Sequence, residues 1–227
     1  LSTRMKFHVF VDFDGTIAPQ DTTDLILERF ADPAWRDIEE EWRAGRIGSR
    51  ECMVRQIDLI RASEEELDAF INEIEIDPGF HDFVRLCAEG GHDVTVVSDG
   101  LDRTVGRVLR RAGLSVPFRA NHLEWVGENR WRLRFPYAKS DCRVLSGHCK
   151  CGSLEALSTV PRVVVGDGRS DFCMSTQADL VLAKGALADY CRRNGLPYQP
   201  FTDFTMATRL FADWLESLAG VPAARSA

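Results

Sequence analysis

The chain has 227 residues, 44% of them hydrophobic, and carries a formal net charge of −7 with a sequence pI near 5.3. This length and apolar content can form one large domain, or a domain with a smaller appendage, and they exclude disordered and fibrous proteins. The negative charge disfavours a nucleic-acid partner. No apolar run approaches the roughly 20 residues that span a bilayer, so we expect a cytoplasmic protein without a membrane partner.

The first predicted strand runs from Lys6 to Asp12 and is rich in Val and Phe, which is typical of a strand buried on both faces of a parallel sheet. It leads into the motif Asp12-Phe13-Asp14-Gly15-Thr16. Because alternate residues of a strand share a face, the two carboxylates lie close together and repel each other unless a cation or a proton intervenes. Gly15 allows a tight turn after the strand, and Thr16 can hold that turn by hydrogen bonding.

Residues 20–83 contain no strand candidate and several capped amphipathic helices. Asp32 with Pro33 predicts a helix start, and Ser63 with Glu66 predicts a capping box. Because this segment leaves after the first strand and returns before the second, both crossings lie beside the end of the first strand. We therefore expect a small helical cap domain that acts as a lid.

Two later segments, 93–98 and 162–167, repeat the design of the first strand, and each ends in a small or acidic polar cluster. A helix is predicted from Leu101 to Ala112, and a further helical stretch begins at Asp171. Alternation of strands and helices predicts an α/β fold with a doubly wound parallel sheet. The predicted core comprises residues 5–19 and 84–220.

Two smaller features complete the predicted organisation. Residues 123–137 indicate a hairpin that is a minor excursion from the core, with its turn at residues 127–129 between Trp125 and Trp131. Residues 220–227 have the composition of a loose tail.

Three strand ends carry the polar clusters, and ligands of such sheets bind beyond the carboxyl ends of the strands. The third cluster, Gly166-Asp167-Gly168-Arg169-Ser170-Asp171, brings the number of carboxylates in two clusters to four. Taken alone, an Asp-x-Asp pattern after a strand is more often a solvated turn. Two such clusters favour Mg²⁺, which prefers hard oxygen ligands and suits a phosphate substrate.

In their order, these motifs resemble the haloacid dehalogenase superfamily, specifically its phosphatases. The resemblance runs from about residue 6 to residue 185 and is carried by Asp12-Phe13-Asp14-Gly15-Thr16, Ser98-Asp99-Gly100, Lys150 and Gly166 to Asp171. It implies a Rossmann-like core, with a helical cap like that of the phosphoserine-phosphatase-like branch. It also implies a Mg²⁺-dependent phosphomonoesterase that acts on a small phosphorylated metabolite.

The resemblance implies a role for each motif residue. Asp12 would be the nucleophile that forms an aspartyl-phosphate, and Asp14 would protonate the leaving group and then deprotonate the attacking water. Lys150 would neutralise the phosphoryl group and Asp12. Asp167 would bind Mg²⁺ beside Asp12 and the backbone carbonyl of Asp14, while Asp171 would hold a metal-bound water or orient Lys150.

The second motif is expected to bind phosphoryl oxygens through the Ser98 hydroxyl and the amides of Asp99 and Gly100, at a strand-to-helix junction. Taken alone, a serine at this place is more often a helix cap. Asp21 matches the position where phosphoserine phosphatases carry a carboxylate for the substrate amine, or it caps the following helix. Arg103 could meet a substrate anion, or it belongs to a solvated basic helix face.

Two questions stay open in the sequence: whether the chain binds a second metal, and which substrate it takes. Cys142, His148, Cys149 and Cys151 surround Lys150 and include zinc-ligand types, although reduced structural thiols are the commoner outcome. Residues 147–150, 131–137 and 198–204 are similar to the methionine-salvage phosphatases of the superfamily. This implies a methylthio-ketopentenyl phosphate as first substrate, with phosphoserine, phosphocholine and phosphoethanolamine behind it. A non-enzymatic phosphate-binding module is the alternative of another class.

Overall fold

A seven-stranded sheet forms the centre of the computed structural model, which describes residues 5–142 and 145–219. Within those ranges the strands are β1 (His8–Val11), β2 (Asp93–Leu101), β3 (Phe118–Gly127), β4 (Arg130–Arg134), β5 (Arg162–Gly166), β6 (Leu180–Ala183) and β7 (Gln199–Pro200). Their order is β4-β3-β2-β1-β5-β6-β7, and every neighbouring pair is parallel except β3 with β4.

Ten α-helices of the described residues accompany the sheet. They are α1 (Thr22–Phe30), α2 (Trp35–Arg43), α3 (Ser49–Ile57), α4 (Glu64–Ile71), α5 (Phe80–Gly90), α6 (Asp102–Arg111), α7 (Lys150–Leu157), α8 (Phe172–Ser175), α9 (Gly185–Asn194) and α10 (Phe204–Ala219). None of the helices in the described part of the chain is long and apolar enough to cross a membrane.

Both faces of the central strands are covered, which confirms the predicted doubly wound α/β sheet. Val9 and Val11 of β1 belong to the larger apolar cluster, whereas Phe10 between them belongs to a second cluster with Val164 and Leu154. Successive strand residues point to opposite faces, so these memberships mean that apolar side chains pack against the sheet from both sides. This burial explains the Val- and Phe-rich sequence of β1.

The first four helices, α1 to α4, lie between β1 and β2 in the sequence. The chain leaves and returns at one place, where the Asp77 amide donates to the Ile17 carbonyl at 2.8 Å. Residue 83, the expected end of the cap, lies inside α5, whose Phe80 and Phe83 rings already pack on Phe204 of α10. We therefore propose that the cap ends near Asp77, because α5 belongs to the packing of the core.

Two predicted helix starts can be compared with the structure. Ser63 and Glu66 form the predicted capping box, in which each side chain accepts a hydrogen bond from the other residue's amide. Helix α2 begins at Trp35, later than predicted, because the Asp32 carboxylate accepts from the Ala34 amide and caps a turn that precedes the regular helix.

The predicted hairpin is present, but it is part of the main sheet. Trp125 pairs with Trp131, and Glu128 and Asn129 both have positive φ, as a tight hairpin turn requires. Strand β3 also pairs in parallel with β2 near Phe118. The hairpin therefore extends the edge of the core sheet, where the sequence pattern had predicted a minor excursion.

Near the end of the chain, the helical stretch predicted from Asp171 is short: a 3-10 turn, Arg169–Asp171, is followed by α8. The tail predicted at residues 220–227 lies outside the described residues, as does the last residue of the predicted core.

Candidate active site

Three parallel strands place the polar clusters at one edge of the sheet. Val11 of β1 lies opposite Val96 of β2 and Val165 of β5, and the Asp12 amide donates to the Val165 carbonyl at 2.9 Å. The residues that follow these valines therefore lie side by side at this edge of the sheet. This strand register brings the polar clusters together, as the sequence predicted.

Lys150, the first residue of α7, is fully buried between two carboxylates. Its ammonium lies 2.6 Å from Oδ1 of Asp12 and 2.7 Å from Oδ1 of Asp171. Burial by itself would lower the lysine pKa, but the attraction of Asp12 and Asp171 outweighs it, and the net effect raises the pKa of Lys150. The ammonium therefore stays charged, held by carboxylates that come from two different strand ends.

Asp12 lies in a strongly negative and almost dry environment, with a side chain only 6% exposed. Burial and the neighbouring Asp171 raise the pKa of Asp12, and Lys150 opposes that change. The Phe13 amide donates to Oδ1 at 2.7 Å, the same oxygen that Lys150 contacts. Both contacts fix the orientation of the Asp12 carboxylate.

Asp14 lies in a different environment from Asp12. Its Oδ1 accepts hydrogen bonds from the amide and the hydroxyl of Thr22, and its Oδ2 accepts one from the Ser98 hydroxyl at 3.3 Å. Burial, reinforced by the negative charge of Asp21, raises the pKa of Asp14 to about 7. Near neutral pH this carboxyl can both give and accept a proton.

Three carboxylates could hold a metal ion, since oxygens of Asp12, Asp167 and Asp171 lie within 4.8 Å of one another. The donors are hard oxygens, and burial raises the pKa of Asp167, so a cation there would relieve unfavourable charge. This donor set fits Mg²⁺. Asp171 is already engaged, because its Oδ2 accepts from the amides of Asp167 and Gly168, both at 3.1 Å, and its Oδ1 contacts Lys150.

Two glycines allow the close approach of the acidic residues. Gly15 has a φ of +72°, and a Cβ at this position would collide with the Asp167 carboxylate. A Cβ at Gly100 would likewise collide with Asp14. The Thr16 hydroxyl donates to Oδ1 of Asp167 at 2.7 Å, so the turn after β1 is tied directly to the end of β5.

The second motif lies within β2, which continues to Leu101. Ser98 to Gly100 therefore precede the helix α6 and are not at the predicted strand-to-helix junction. The pairing of β2 with β3 is irregular there, between Val97 and Leu101.

The Gly100 amide donates to the Ser98 hydroxyl oxygen at 2.9 Å. The Asp99 carboxylate accepts from the amide of His148 at 2.8 Å, from the side chain of Asn121 at 3.0 Å and from the hydroxyl of Ser49 at 3.3 Å. Any contribution of Asp99 to anion binding therefore comes from its amide, because its carboxylate is engaged with these neighbours.

Both weaker candidates for substrate contact have other partners. Asp21 is the N-cap of α1 and accepts from the Asp24 amide at 3.0 Å, which is the alternative left open by the sequence. Arg103 donates to the Asp68 carboxylate at 2.6 and 2.9 Å, contacts Glu64 at 3.0 Å, and stacks on the Trp131 ring. The Arg103 guanidinium thus joins α6 to α4, and its contact with a substrate anion stays a prediction.

Within residues 5–142 and 145–219, no three cysteine or histidine ligand atoms near Lys150 lie close enough together to hold zinc. Both ring nitrogens of His148 are within 2.8 Å of protein oxygens, and the sulfurs of Cys149 and Cys151 are 3.5 Å apart. Among the residues described, the group with three close metal-ligand side chains is the aspartate group. All seven cysteines are free thiols.

Thr22, Asn121 and Ser153 contribute to the site, and the sequence pattern did not single them out. Thr22 follows the expected N-cap Asp21 and carried a detectable signal, since a hydroxyl in the first turn of a helix can reach back to a carboxylate. Asn121 gave none, because its partner Asp99 is 22 residues away in the sequence. Ser153 is only five residues from its partner His148, but no sequence pattern relates the two.

Comparison with known proteins agrees with this geometry. The sequence profile of the haloacid dehalogenase-like hydrolases matches residues 9–176. The chain is 33% identical, over 203 residues, to 2-hydroxy-3-keto-5-methylthiopentenyl-1-phosphate phosphatase of Geobacillus kaustophilus, covering 86% of this chain and 91% of that protein. It is 31% identical to the protein of the same name in Brevibacillus brevis, covering 90% of this chain and 95% of that protein.

Solved structures with the same fold include phosphoserine phosphatases. One, in the form of a phospho-aspartyl intermediate analogue, matches with a TM-score of 0.65 and 23% identity, over 83% of this chain and 91% of that one. Another, from T. onnurineus, matches with a TM-score of 0.65 and 17% identity, over 95% and 98% of the two chains. At these identities the likeness shows the fold alone.

Proposed function

The chain belongs to the haloacid dehalogenase-like hydrolases, and on that premise we propose that it is a phosphatase that hydrolyses a small phosphomonoester through an aspartyl-phosphate on Asp12. The observation that carries this proposal is the contrast between two aspartates at one strand end. Burial raises the pKa of both, but Asp12 lies 2.6 Å from the charged Lys150 ammonium. Asp14, with a pKa of about 7, is instead bonded to Thr22 and Ser98. Pairs of acids whose environments differ in this way divide the nucleophile and acid–base roles between them.

In the first step, Oδ2 of Asp12, which takes neither the Lys150 nor the Phe13 contact, attacks the phosphorus. The bond from phosphorus to the ester oxygen breaks, and protonated Asp14 gives its proton to that oxygen. The Ser98 hydroxyl and the amides of Asp99 and Gly100 bind the phosphoryl oxygens. For this the Ser98 hydroxyl gives up its bond to Asp14, and the Gly100 amide gives up its bond to Ser98. Lys150 offsets the charge gathered around Asp12.

In the second step, the now ionised Asp14 removes a proton from a water molecule that attacks the phosphorus. The bond between phosphorus and Asp12 breaks, which returns the carboxylate and releases inorganic phosphate. Asp14 ends the cycle protonated. The two hydrogen bonds from Thr22 hold Oδ1 of Asp14, so its other oxygen faces Ser98 and the phosphate site.

Asp12 and Asp167 would hold Mg²⁺ through their carboxylates, and the backbone carbonyl of Asp14 is the further ligand that the family implies. When bound, this ion supplies positive charge that lowers the repulsion between the anionic substrate and the aspartates. Asp171 acts through Lys150, since its oxygens are engaged by the lysine and by two amides. The Thr16 hydroxyl keeps Asp167 oriented towards the turn after β1.

The substrate we propose first is 2-hydroxy-3-keto-5-methylthiopentenyl-1-phosphate. The support is the name carried by relatives about one third identical over nearly the whole chain. Phosphoserine is the second candidate, followed by phosphocholine and phosphoethanolamine. A non-catalytic phosphate-binding module is disfavoured because each catalytic position is filled by the residue type that the chemistry needs. A cytoplasmic location stays a prediction from the sequence.

The test measures inorganic phosphate released by purified protein with Mg²⁺ from each of these esters and from p-nitrophenyl phosphate. We expect the highest kcat/KM with the methylthio-ketopentenyl ester. We also expect that Asp12→Asn abolishes turnover of every ester while the circular dichroism spectrum is unchanged, because the nucleophile is lost. Asp189→Asn, an exposed carboxylate on α9, is the matched control and keeps wild-type rates.

Substantial turnover by the Asp12→Asn variant would exclude the aspartyl-phosphate mechanism. A higher kcat/KM with phosphoserine than with the methylthio-ketopentenyl ester would leave the mechanism intact and make phosphoserine the proposed substrate.

A further inference from the structure

His148 is a buried residue that joins the second motif to the helix that carries Lys150. It is 1% exposed and lies in the irregular segment before α7. Its Nδ1 is 2.8 Å from the Ser98 carbonyl oxygen, and its Nε2 is 2.7 Å from the Ser153 hydroxyl in the first turns of α7. The ring therefore spans from β2 to α7.

The partners of the ring determine its tautomer. A backbone carbonyl can only accept, so Nδ1 carries the proton and donates to Ser98. Nε2 then accepts from the Ser153 hydroxyl, which in turn accepts from Arg119 at 3.3 Å. Burial lowers the pKa of His148 to about 4, so the ring is neutral under ordinary conditions.

The backbone of His148 makes a second connection to the same motif. Its amide donates to Oδ1 of Asp99 at 2.8 Å, and Asn121 of β3 donates to the same oxygen. Ser98 and Asp99 are thus both bonded to His148, one by its ring and the other by its backbone. The next residue, Cys149, donates its amide to the Tyr137 carbonyl at 3.0 Å, which holds the segment from its other side.

We propose that His148 is a positioning residue that fixes the distance between the phosphate-binding residue Ser98 and the ammonium of Lys150. This rests on the proposed function, in which both groups contact the phosphoryl group. Ser98 belongs to a strand and Lys150 to a helix, and no sheet register relates them. The His148 ring and amide supply that relation through three hydrogen bonds.

The size of the effect follows from geometry. A displacement of about 1 Å in groups that position a substrate can change rates on the order of 100-fold. Losing the ring contacts would allow α7 to shift against β2. It would therefore weaken phosphate binding and lower the rate together, even though His148 itself does not touch the phosphate.

The test compares three substitutions of His148 with a matched control. His148→Leu removes both ring contacts, His148→Asn keeps a side-chain amide near the Nδ1 position that can donate to Ser98, and His148→Gln reaches only the Ser153 side. The control is His8→Leu, since His8 is also buried and its Nε2 bonds the Thr95 hydroxyl at 2.8 Å, but at the other end of β1. Measurements are kcat, KM, the dissociation constant of inorganic phosphate, and the melting temperature.

We expect His148→Leu to raise the phosphate dissociation constant and KM about tenfold and to lower kcat/KM about 100-fold. His148→Asn should stay within about threefold of wild type and His148→Gln should fall between them, because the donor to Ser98 matters most. His8→Leu should lower the melting temperature by about as much as His148→Leu does, but keep kcat/KM within about twofold of wild type. Nitrogen-15 NMR of the unmodified protein should show a neutral ring protonated at Nδ1.

The proposal would be overturned if His148→Leu and His8→Leu lost the same fraction of kcat/KM for each degree of lost melting temperature. A His148 ring protonated at Nε2 would also overturn it. If His148→Leu does not fold, the test is the comparison of kcat/KM between His148→Asn and His148→Gln. Equal values for these two variants count against the proposal. If the wild type hydrolyses no phosphate ester, the proposed function fails. Phosphate binding and the NMR tautomer still test the positioning role in that case.

Discussion

Asp14 and Asp12 are two residues apart, yet different partners give them different properties. Asp12 faces the fixed positive charge of Lys150, which stabilises its ionised form. Asp14 is bonded to the neutral donors Thr22 and Ser98, and burial raises its pKa to about 7. Lys150 thus opposes the rise in the pKa of Asp12 that burial and neighbouring carboxylates cause. Asp14, by contrast, contacts no cation among the described residues and is suited to exchange protons.

The first prediction concerns Asp14→Asn. This change keeps the backbone and most of the side-chain shape but removes proton transfer, which contributes typically about 10²–10⁴-fold to rate. Phosphoenzyme formation should fall by this amount with an alkyl ester and by far less with p-nitrophenyl phosphate, whose leaving group needs no proton. The measurement is single-turnover rapid quench, in which aspartyl-phosphate should accumulate with the aryl ester. Equal losses for both esters would make Asp14 a structural residue.

The second prediction is the pH dependence of the same step in the unmodified protein. A folded-state pKa of about 7 means that the protonated fraction of Asp14 is high below pH 7 and falls about tenfold for each pH unit above it. Phosphoenzyme formation from an alkyl ester should therefore decline above pH 7, whereas dephosphorylation, which needs the ionised form, should rise through the same range. Rapid-quench rates between pH 5 and 9 measure both limbs. An alkyl-ester rate independent of pH would contradict this assignment.

At the scale of elements, the inserted helices are attached to the core by a network around Arg103. This α6 residue pairs with Asp68 and Glu64 of α4 and stacks on Trp131 of β4. The Trp131 indole also donates to the Ala62 carbonyl at 3.0 Å, just before α4. The β3–β4 hairpin and α6 thus form one surface on which α4, the last helix of the cap, packs.

The third prediction is that Arg103→Ala mainly lowers stability. Removing a guanidinium that is 22% exposed leaves two carboxylates short of a donor, and the loss should be about 2 kcal/mol in the free energy of unfolding. The melting temperature should fall by roughly 4–8 °C, with kcat/KM within about threefold of wild type. Thermal unfolding and steady-state kinetics give both values.

The control for this change is Arg110→Ala, an exposed arginine of the same helix, which should change neither value. A large rise in KM for Arg103→Ala without a fall in melting temperature would instead support the substrate contact predicted for Arg103.

At the scale of the whole molecule, the fold concentrates negative charge at one sheet edge. Asp12, Asp167 and Asp171 lie together, and Lys150 is paired with two of them. Burial and mutual repulsion raise the pKa of Asp12 and burial raises that of Asp167. Ionising this edge therefore costs folding energy, which a bound cation would offset.

The fourth prediction is that Mg²⁺ stabilises the protein. A ligand present at about 100 times its dissociation constant adds about 2.7 kcal/mol, or roughly 5–10 °C in melting temperature for a chain of this size. EDTA should reverse the shift and stop turnover, and Asp167→Asn should lose the shift. Differential scanning fluorimetry measures it. A zinc-specific shift that survives Asp167→Asn would instead indicate the cysteines and His148 around Lys150.

Local and periodic features were determined by the sequence alone. Continuous apolar runs specify strands buried on both faces, so β1, β2 and β5 and the doubly wound sheet followed from the pattern. Capping and turn chemistry act within a few residues, which is why the box at Ser63 and the turn before Trp131 agree with the structure. The order of the motifs at the strand ends was also enough to indicate the family.

Only the tertiary structure decided which partners the polar groups take. The Thr16 to Asp167 hydrogen bond joins residues 151 apart in sequence, and the place of β3 in the main sheet depends on pairing with β2. The partners of Arg103 and His148 likewise come from other elements. The pKa of Asp14 depends on burial, which no one-dimensional pattern encodes. Side-chain chemistry is local, but burial and pairing are set by the packing of distant segments, so the sequence indicated the reacting residues while the fold decided how they are held.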